Sequence, residues 1–336
     1  MNKLSAAVIG VGQMGRNHLR VLSAMENVDL VAVADSEQIQ LERALRGSQI
    51  TGYSDYQVML AQEKLDFAIV AVPSKHHVDV ACEVLDAGLH VLVEKPLALT
   101  VEECEKIIQA AEAKQKKLMV GHIERFNPAI VELKTRILRG DLGGISQVRS
   151  TRVSPFPDRI KDVGVIMDLA THEIDLMAYL LNAPVKRLYA EIDENAHAQD
   201  ETLFVGMLRF ETGVIGLIEV NWLTPTKIRQ ISVLGEGGMY VVDYLTQDLH
   251  WYKNSQNSNT FDSLSTFRSV WEGDMVRIQI RKQEPLAMEL DAFVQCIATD
   301  GPSPVSGHNG LAAIRTAQEF LKSGQSHRIY NASSNI

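Results

Sequence analysis

The chain has 336 residues, a hydrophobic fraction of 46% and a formal net charge of −9. That length exceeds what one core usually serves, so two domains are expected. The acidic balance argues against nucleic acid and anionic lipid as partners, because both repel a negative surface. No apolar run reaches the roughly 18 residues of a membrane span. The start of the chain runs straight into a strand pattern without signal-peptide regions, so a cytoplasmic protein is expected. Cys82, Cys104 and Cys296 are scattered, and no CxxC exists. Buried or inert thiols in a reducing compartment are therefore expected.

From residue 6 to about 121, short apolar runs alternate with helical stretches. Strands are predicted at 6–10, 30–34, 50–53, 67–72, 91–93 and 118–120, with an amphipathic helix at 101–113 among the intervening segments. Near-continuous apolar strands separated by helices indicate a parallel sheet covered on both faces, a doubly wound Rossmann domain over 1–121. After His122 the rhythm changes. Helices are predicted at 129–139 and 168–181, then strands at 185–192, 203–210, 214–222, 228–234 and 239–244, with Gly213, Gly237 and Gly238 as turns. Strands joined by short turns are antiparallel. The fold class is thus α/β, with an α+β domain over 122–336 built on a large, mostly antiparallel open sheet. One face of such a sheet is free to pack on a subunit, so a homo-oligomer is expected. Residues 254–274 are polar and predict a surface loop. Helices near 286–298 and 310–322 close the chain.

Gly10-Val11-Gly12-Gln13-Met14-Gly15 follows the first strand and opens a helix. Gly10 permits the tight turn, Gly12 lets the backbone approach a pyrophosphate, and Gly15 lets helix and strand pack closely. The helix N-terminus offers free N–H groups to the phosphates. Asp35 ends the second strand, twenty residues after Gly15, where a carboxylate binds a ribose 2′-hydroxyl and opposes a 2′-phosphate. NAD is therefore favoured over NADP.

Glu94-Lys95-Pro96 follows the fifth strand, at the carboxyl end where open α/β sheets bind ligands. Lys95 can hydrogen-bond a substrate hydroxyl and take part in proton transfer; the alternative is a surface lysine in a loop. In the segment 168–175, a helix places Asp168, His172 and Asp175 on one face. An imidazole one turn from a carboxylate can be oriented and hold a proton at neutral pH. The alternative is an acid-rich helix N-terminus with His172 as a satisfied core group. The adjacent pair His76-His77 has no cysteine near enough to complete a zinc site. His76 reads as a solvated helix residue, and His18 as packing.

The ordered set GVGQMG, Asp35, the run 72–77, Glu94-Lys95-Pro96 and Asp168-x-x-x-His172 resembles the glucose–fructose oxidoreductase and inositol dehydrogenase family over nearly the whole chain. The resemblance implies a Rossmann domain with NAD, then an α/β domain whose open sheet makes subunit contacts. A homodimer or homotetramer is accordingly expected. It also implies that Lys95 and His172 flank the oxidised carbinol with Asp168 beside them, and that Ser74, His77, Glu94 and Lys95 lie along the nicotinamide half of the cofactor.

Within that family, the segments 121–128, 152–164 and 222–229 resemble the group that oxidises the 3-hydroxyl of UDP-N-acetylglucosamine. They add Arg125, Arg159, Lys161, Lys227 and Arg229 to an acidic protein, and a nucleotide diphosphate needs such donors. Two or three of the five are expected to touch substrate, the others being solvated. Asn127 either donates to a sugar or acetamido oxygen or caps the helix after Pro128. The resemblance implies a 3-keto sugar nucleotide as product, feeding an aminotransferase. Either His172 or Lys95 serves as the base. Two rival readings stand beside this one: a dehydrogenase of another sugar, an inositol or a UDP-sugar acid, and an NAD-binding regulator without turnover.

Overall fold

A computed structural model describes residues 3–157, 163–193, 201–254 and 272–331. The chain forms two compact units. The first comprises 1–126 with 284–318, and the second 127–283 with 319–336. The sequence reading put everything after residue 121 in one domain. The compact units instead return helix α8 (Pro285–Ala298) and most of α9 (Gly307–Ser326) to the first unit. The physical reason is the apolar stripe of α8, whose Phe293 meets Phe67 edge-on at 5.6 Å.

The first unit holds six strands: β1 (Leu4–Ile9), β2 (Val28–Ala34), β3 (Thr51–Tyr53), β4 (Phe67–Val70), β5 (His90–Glu94) and β6 (Leu118–Gly121). They lie in the order β3-β2-β1-β4-β5-β6, and every pairing is parallel. The order reverses between β1 and β4, which makes their carboxyl ends the switch point of the sheet. Strand residues such as Val8, Val33, Ile69 and Leu92 have no exposed surface, and each contributes roughly 1.5–3 kcal/mol by burial. Helices α1 (Gln13–Ala24), α2 (Gln38–Leu45), α3 (Tyr56–Gln62), α4 (His77–Asp86) and α5 (Val101–Ala113) connect the strands. Thr100 and Glu103 form a capping box at the start of α5, satisfying two of its orphan N–H groups.

The second unit opens with α6 (Pro128–Leu138) and then builds a nine-stranded sheet. Its strands are β7 (Ile145–Pro155), β8 (Val185–Asp193), β9 (Leu203–Phe210), β10 (Ile215–Asn221), β11 (Leu223–Gly235), β12 (Gly238–Asp243), β13 (Asp248–Asn254), β14 (Glu272–Ile278) and β15 (Tyr330–Asn331). The order is β14-β13-β12-β11-β7-β10-β9-β8-β15. Only β7 and β10 pair in parallel among these neighbours. Strands β7, β13 and β15 have no counterpart among the predicted strands; of the predicted loop 254–274, residue 254 ends β13, residues 272–274 begin β14, and 255–271 lie outside the described residues.

Alternation gives the sheet two faces. Phe204, Leu208, Val148, Ile231, Val233 and Tyr240 are buried, while Val205, Met207, Leu234, Tyr252 and Met275 are exposed. Helix α7 (Thr171–Leu181) follows one turn of π-helix, Ile166–Ala170, where a regular helix was predicted. None of the helices among the described residues is long and apolar enough to cross a membrane.

Candidate active site

In the first unit, Gly10 sits at the switch point with φ +89°. A Cβ there would lie 2.7 Å from the Ala71 backbone, and one at Gly15 would lie 1.9 Å from the Gly10 carbonyl oxygen. The loop and α1 therefore pack at distances that only glycine permits. Gly12 differs: a Cβ there would meet nothing within 4 Å. It is the N-cap of α1 and makes no side-chain cap bond, so the first N–H groups of the helix, from Gln13 and Met14 onward, stay available to an anion. Asp35 closes the loop from the side. Its Oδ2 accepts from the Val11 N–H at 2.7 Å, and its Oδ1 accepts from the Glu37 N–H at 2.8 Å. An open face above Gly12, uncapped amides and a carboxylate at the end of β2 fit the pyrophosphate and ribose of a dinucleotide.

Ser74 stands half-buried in the turn Ser74–His76. His77 is buried, with Nδ1 2.8 Å from the Pro96 carbonyl oxygen and Nε2 2.9 Å from that of Val72. Burial lowers its pKa, and the two carbonyl contacts oppose this without overturning it. Both ring nitrogens face backbone carbonyls, and a neutral ring donates to one of them, so His77 links the loops after β4 and β5. The Lys95–Pro96 peptide is cis.

Glu94 is buried at the end of β5. Its Oε1 lies 2.7 Å from His18 Nε2, and its Oε2 accepts from the Lys95 N–H at 3.2 Å. Burial acts most strongly on this carboxyl and raises its pKa. The hydrogen bond and charge of His18, with the charge of Lys95, reverse the sign and hold it below the ordinary range. Lys95 itself is half-buried. The His18–Glu94 pair escaped the sequence reading, which took His18 as packing. The two residues stand 76 positions apart, and no local pattern joins them.

Arg125, in the turn Ile123–Phe126, is buried, and its Nη1 reaches Asn309 Oδ1 at 3.5 Å.

In the second unit, Asp168 lies buried in the π turn and His172 half-buried one turn later in α7. The start of this segment is held by Glu201. Its carbonyl accepts from the Val165 N–H at 3.1 Å, and its Oε1 accepts from the Ile166 N–H at 2.9 Å. A carboxylate at a helix N-terminus is favoured by the dipole. Gly164 leaves it room, since a Cβ there would fall 2.2 Å from the Glu201 carboxylate.

Glu173, the neighbour of His172, has no exposed surface. It accepts from Ser150 Oγ and Arg152 Nε on β7, and from the Tyr244 hydroxyl at 2.9 Å. The Arg152 guanidinium also lies over the Tyr244 ring, 5.6 Å from its centroid. These bonds clamp the His172-bearing helix to the sheet. Asn127 Oδ1 accepts from the Ala129 N–H at 3.1 Å, and Nδ2 donates to the Tyr244 carbonyl at 3.1 Å. Both ends of this buried amide serve the fold, which favours the cap over the sugar contact.

Lys227 and Arg229 lie on β11, where the register against β7 shifts between Leu223 and Ile228. Lys227 is exposed at this bulge, and Arg229 is half-buried opposite Arg152. Bulges re-aim side chains. Arg159 and Lys161 lie outside the described residues.

Two family models match the chain. An oxidoreductase family with an NAD-binding Rossmann fold covers residues 4–122, and the GFO/IDH/MocA C-terminal domain covers 130–241. The chain is 31% identical over 327 residues to the rhizopine catabolism protein MocA of Rhizobium meliloti, covering 95% of this chain and 94% of the relative. It is 26% identical over 329 residues to the UDP-N-acetylglucosamine 3-dehydrogenase of Acidithiobacillus ferrooxidans, covering 96% and 100%. Its fold resembles the WlbA dehydrogenase of Bordetella pertussis, solved with NADH and UDP-GlcNAcA. The TM-score is 0.82 at 23% identity, with 99% of this chain and 100% of the other covered. The chain belongs to the GFO/IDH/MocA family of NAD-binding oxidoreductases.

Proposed function

We propose that this oxidoreductase oxidises a ring hydroxyl of a sugar nucleotide to the ketone, the substrate being UDP-N-acetylglucosamine and the carbon C3. The observation that carries the reading is Lys95, set directly after the carboxyl end of β5 with its N–H on the buried Glu94, in a unit whose glycine loop suits a dinucleotide. The likeness to the Acidithiobacillus dehydrogenase over 96% of the chain supports the choice of sugar nucleotide.

Gly10, Gly12, Gln13, Met14 and Gly15 would hold the pyrophosphate of NAD, Asp35 the ribose, and Ser74 and Glu94 the nicotinamide half, with His77 bracing that half through backbone. When bound, NAD supplies the hydride acceptor. His172 takes the hydroxyl proton, held in orientation by Asp168. Lys95 donates a hydrogen bond to the same oxygen and stabilises its developing charge. Lys227 and Arg229, with Arg125, Arg159 and Lys161, supply the cations from which the diphosphate contacts are drawn. The ketone suits a following transfer of an amino group.

The test is NADH appearance on mixing the protein with NAD and UDP-N-acetylglucosamine, with an aminotransferase and glutamate drawing off the ketone. Free N-acetylglucosamine, inositol, UDP-glucose and NADP run beside it. Signal with the UDP-N-acetyl sugar and NAD is expected. Signal only with a free polyol would discard the sugar nucleotide, and equal use of NADP would discard the role of Asp35. Lys95→Ala is expected to lose about 10²-fold or more in turnover, and wild-type turnover in that variant would remove Lys95 from the chemistry.

The exposed residues Val205, Met207, Leu234, Tyr252 and Met275 on the open sheet face support a homodimer or homotetramer joined there. Light scattering that returns a monomer mass would overturn this.

A further inference from the structure

Helix α8 carries an acid where its spacing calls for an apolar side chain. Leu286, Leu290, Phe293 and Val294 form its buried stripe, and Glu289 stands among them with no exposed surface. Among the described residues, neither Glu289 oxygen has a hydrogen-bond partner. An ionised carboxylate in such a place loses its hydration without compensation, so a proton is retained instead. Burial is the main cause that raises this carboxyl well above its ordinary range, and the negative charge of Glu94 adds to it.

The elements packed against α8 include α1 and the turn Ile123–Phe126, and β4, whose Phe67 meets Phe293 and which carries no titratable residue. The titratable or charged groups of α1 and the turn are Arg16, His18 and Arg20, and Glu124 and Arg125. Arg20 is engaged at the exposed end of α8 with Glu284, and Arg16 with Gln40. Of the charges near Glu289, that of Glu94 acts on it. Glu94 is the complementary half: His18 and Lys95 favour its ionised form, while nothing favours that of Glu289. His18 is also without exposed surface, and its Nδ1 has no partner among the described residues. Of two buried carboxyls that act on each other through their charges, the one without donors keeps the proton.

We propose that Glu289 carries the single proton of a buried Glu94–Glu289 acid pair and is thereby a positioning residue for Lys95. A neutral Glu289 leaves Glu94 as the one negative charge opposite His18 and Lys95. An ionised Glu289 would add a second negative charge and draw the Lys95 ammonium toward the pair, away from a reacting oxygen. The positioning role rests on the reading of Lys95 under the proposed function; the acid pair does not.

The infrared spectrum of the full-length protein tests the pair directly. At neutral pH the wild type is expected to show the carbonyl band of a protonated carboxyl that is missing from Glu289→Gln. A difference spectrum without that band would overturn the pair. Turnover tests the positioning: kcat of the wild type is expected to fall about tenfold or more as pH rises far enough to ionise Glu289, while Glu289→Gln, which cannot ionise, holds its kcat over the same range and KM for NAD moves little in either. The same pH profile in the wild type and Glu289→Gln, or a change confined to KM, would overturn it. Should Glu289→Gln fail to fold, Glu289→Leu, which is equally unable to ionise, takes its place in both measurements. A wild type without turnover would strike at the reading of Lys95 and leave the spectrum to decide the acid pair.

Discussion

Among the described residues, each unit buries one glutamate without exposed surface on a helix, Glu173 in the second and Glu289 in the first, and the two are treated in opposite ways. Glu173 meets an arginine, a serine and a tyrosine. Glu289 meets apolar side chains and the field of a second carboxylate. Burial alone thus says little about what an acid does; the donors around it decide. A carboxylate supplied with donors ties a helix to a sheet, and one denied them becomes a place to keep a proton.

The largest effect expected from this contrast is at Glu173. Glu173→Leu leaves Arg152 buried opposite an apolar group and is expected to cost about 3–5 kcal/mol in urea unfolding. Adding Arg152→Met to it should recover much of that loss, because replacing both members of a buried pair with apolar groups is often neutral. A single-variant cost below about 1 kcal/mol would mean that the clamp is not what holds α7.

The smaller effect is at Glu289, and its sign follows from linkage. The unfolded carboxyl ionises near its ordinary value of 4.5, whereas the folded one is raised well above it. Above that ordinary value the folded chain holds a proton that the unfolded chain has released. The wild type therefore loses stability as pH rises through the window between the two values, and a glutamine does not. The stability of Glu289→Gln relative to wild type is expected to grow by up to about 1.4 kcal/mol per pH unit there. A difference that stays flat between about pH 5 and pH 8 would refute a raised Glu289.

The same contrast explains what could be read in advance. Strand β7 was missed because its inward positions include Ser150 and Arg152, the partners of Glu173. Polar residues on the core side erase the apolar alternation that marks a strand. Glu289 had a legible signal, an acid inside the apolar spacing 286, 290, 293 of a predicted helix, but its meaning depends on Glu94, almost two hundred residues earlier. Asn127 was readable only as a choice between cap and ligand. The Tyr244 carbonyl that occupies its amide arrives from 117 residues away.

Local patterns by themselves determined the glycine loop, the acid that ends β2, the lysine after β5, the change from helix-separated strands to a meander, and most of the helices. Each rests on steric or periodic rules that act within a few residues. Only the tertiary structure decided the parallel pairing of β7 with β10, the return of residues 284–318 to the first unit, and the partners of His18, His77, Glu94 and Glu173. Those depend on which donors and acceptors the folded chain brings within about 3 Å of one another, and sequence separation carries no trace of that distance.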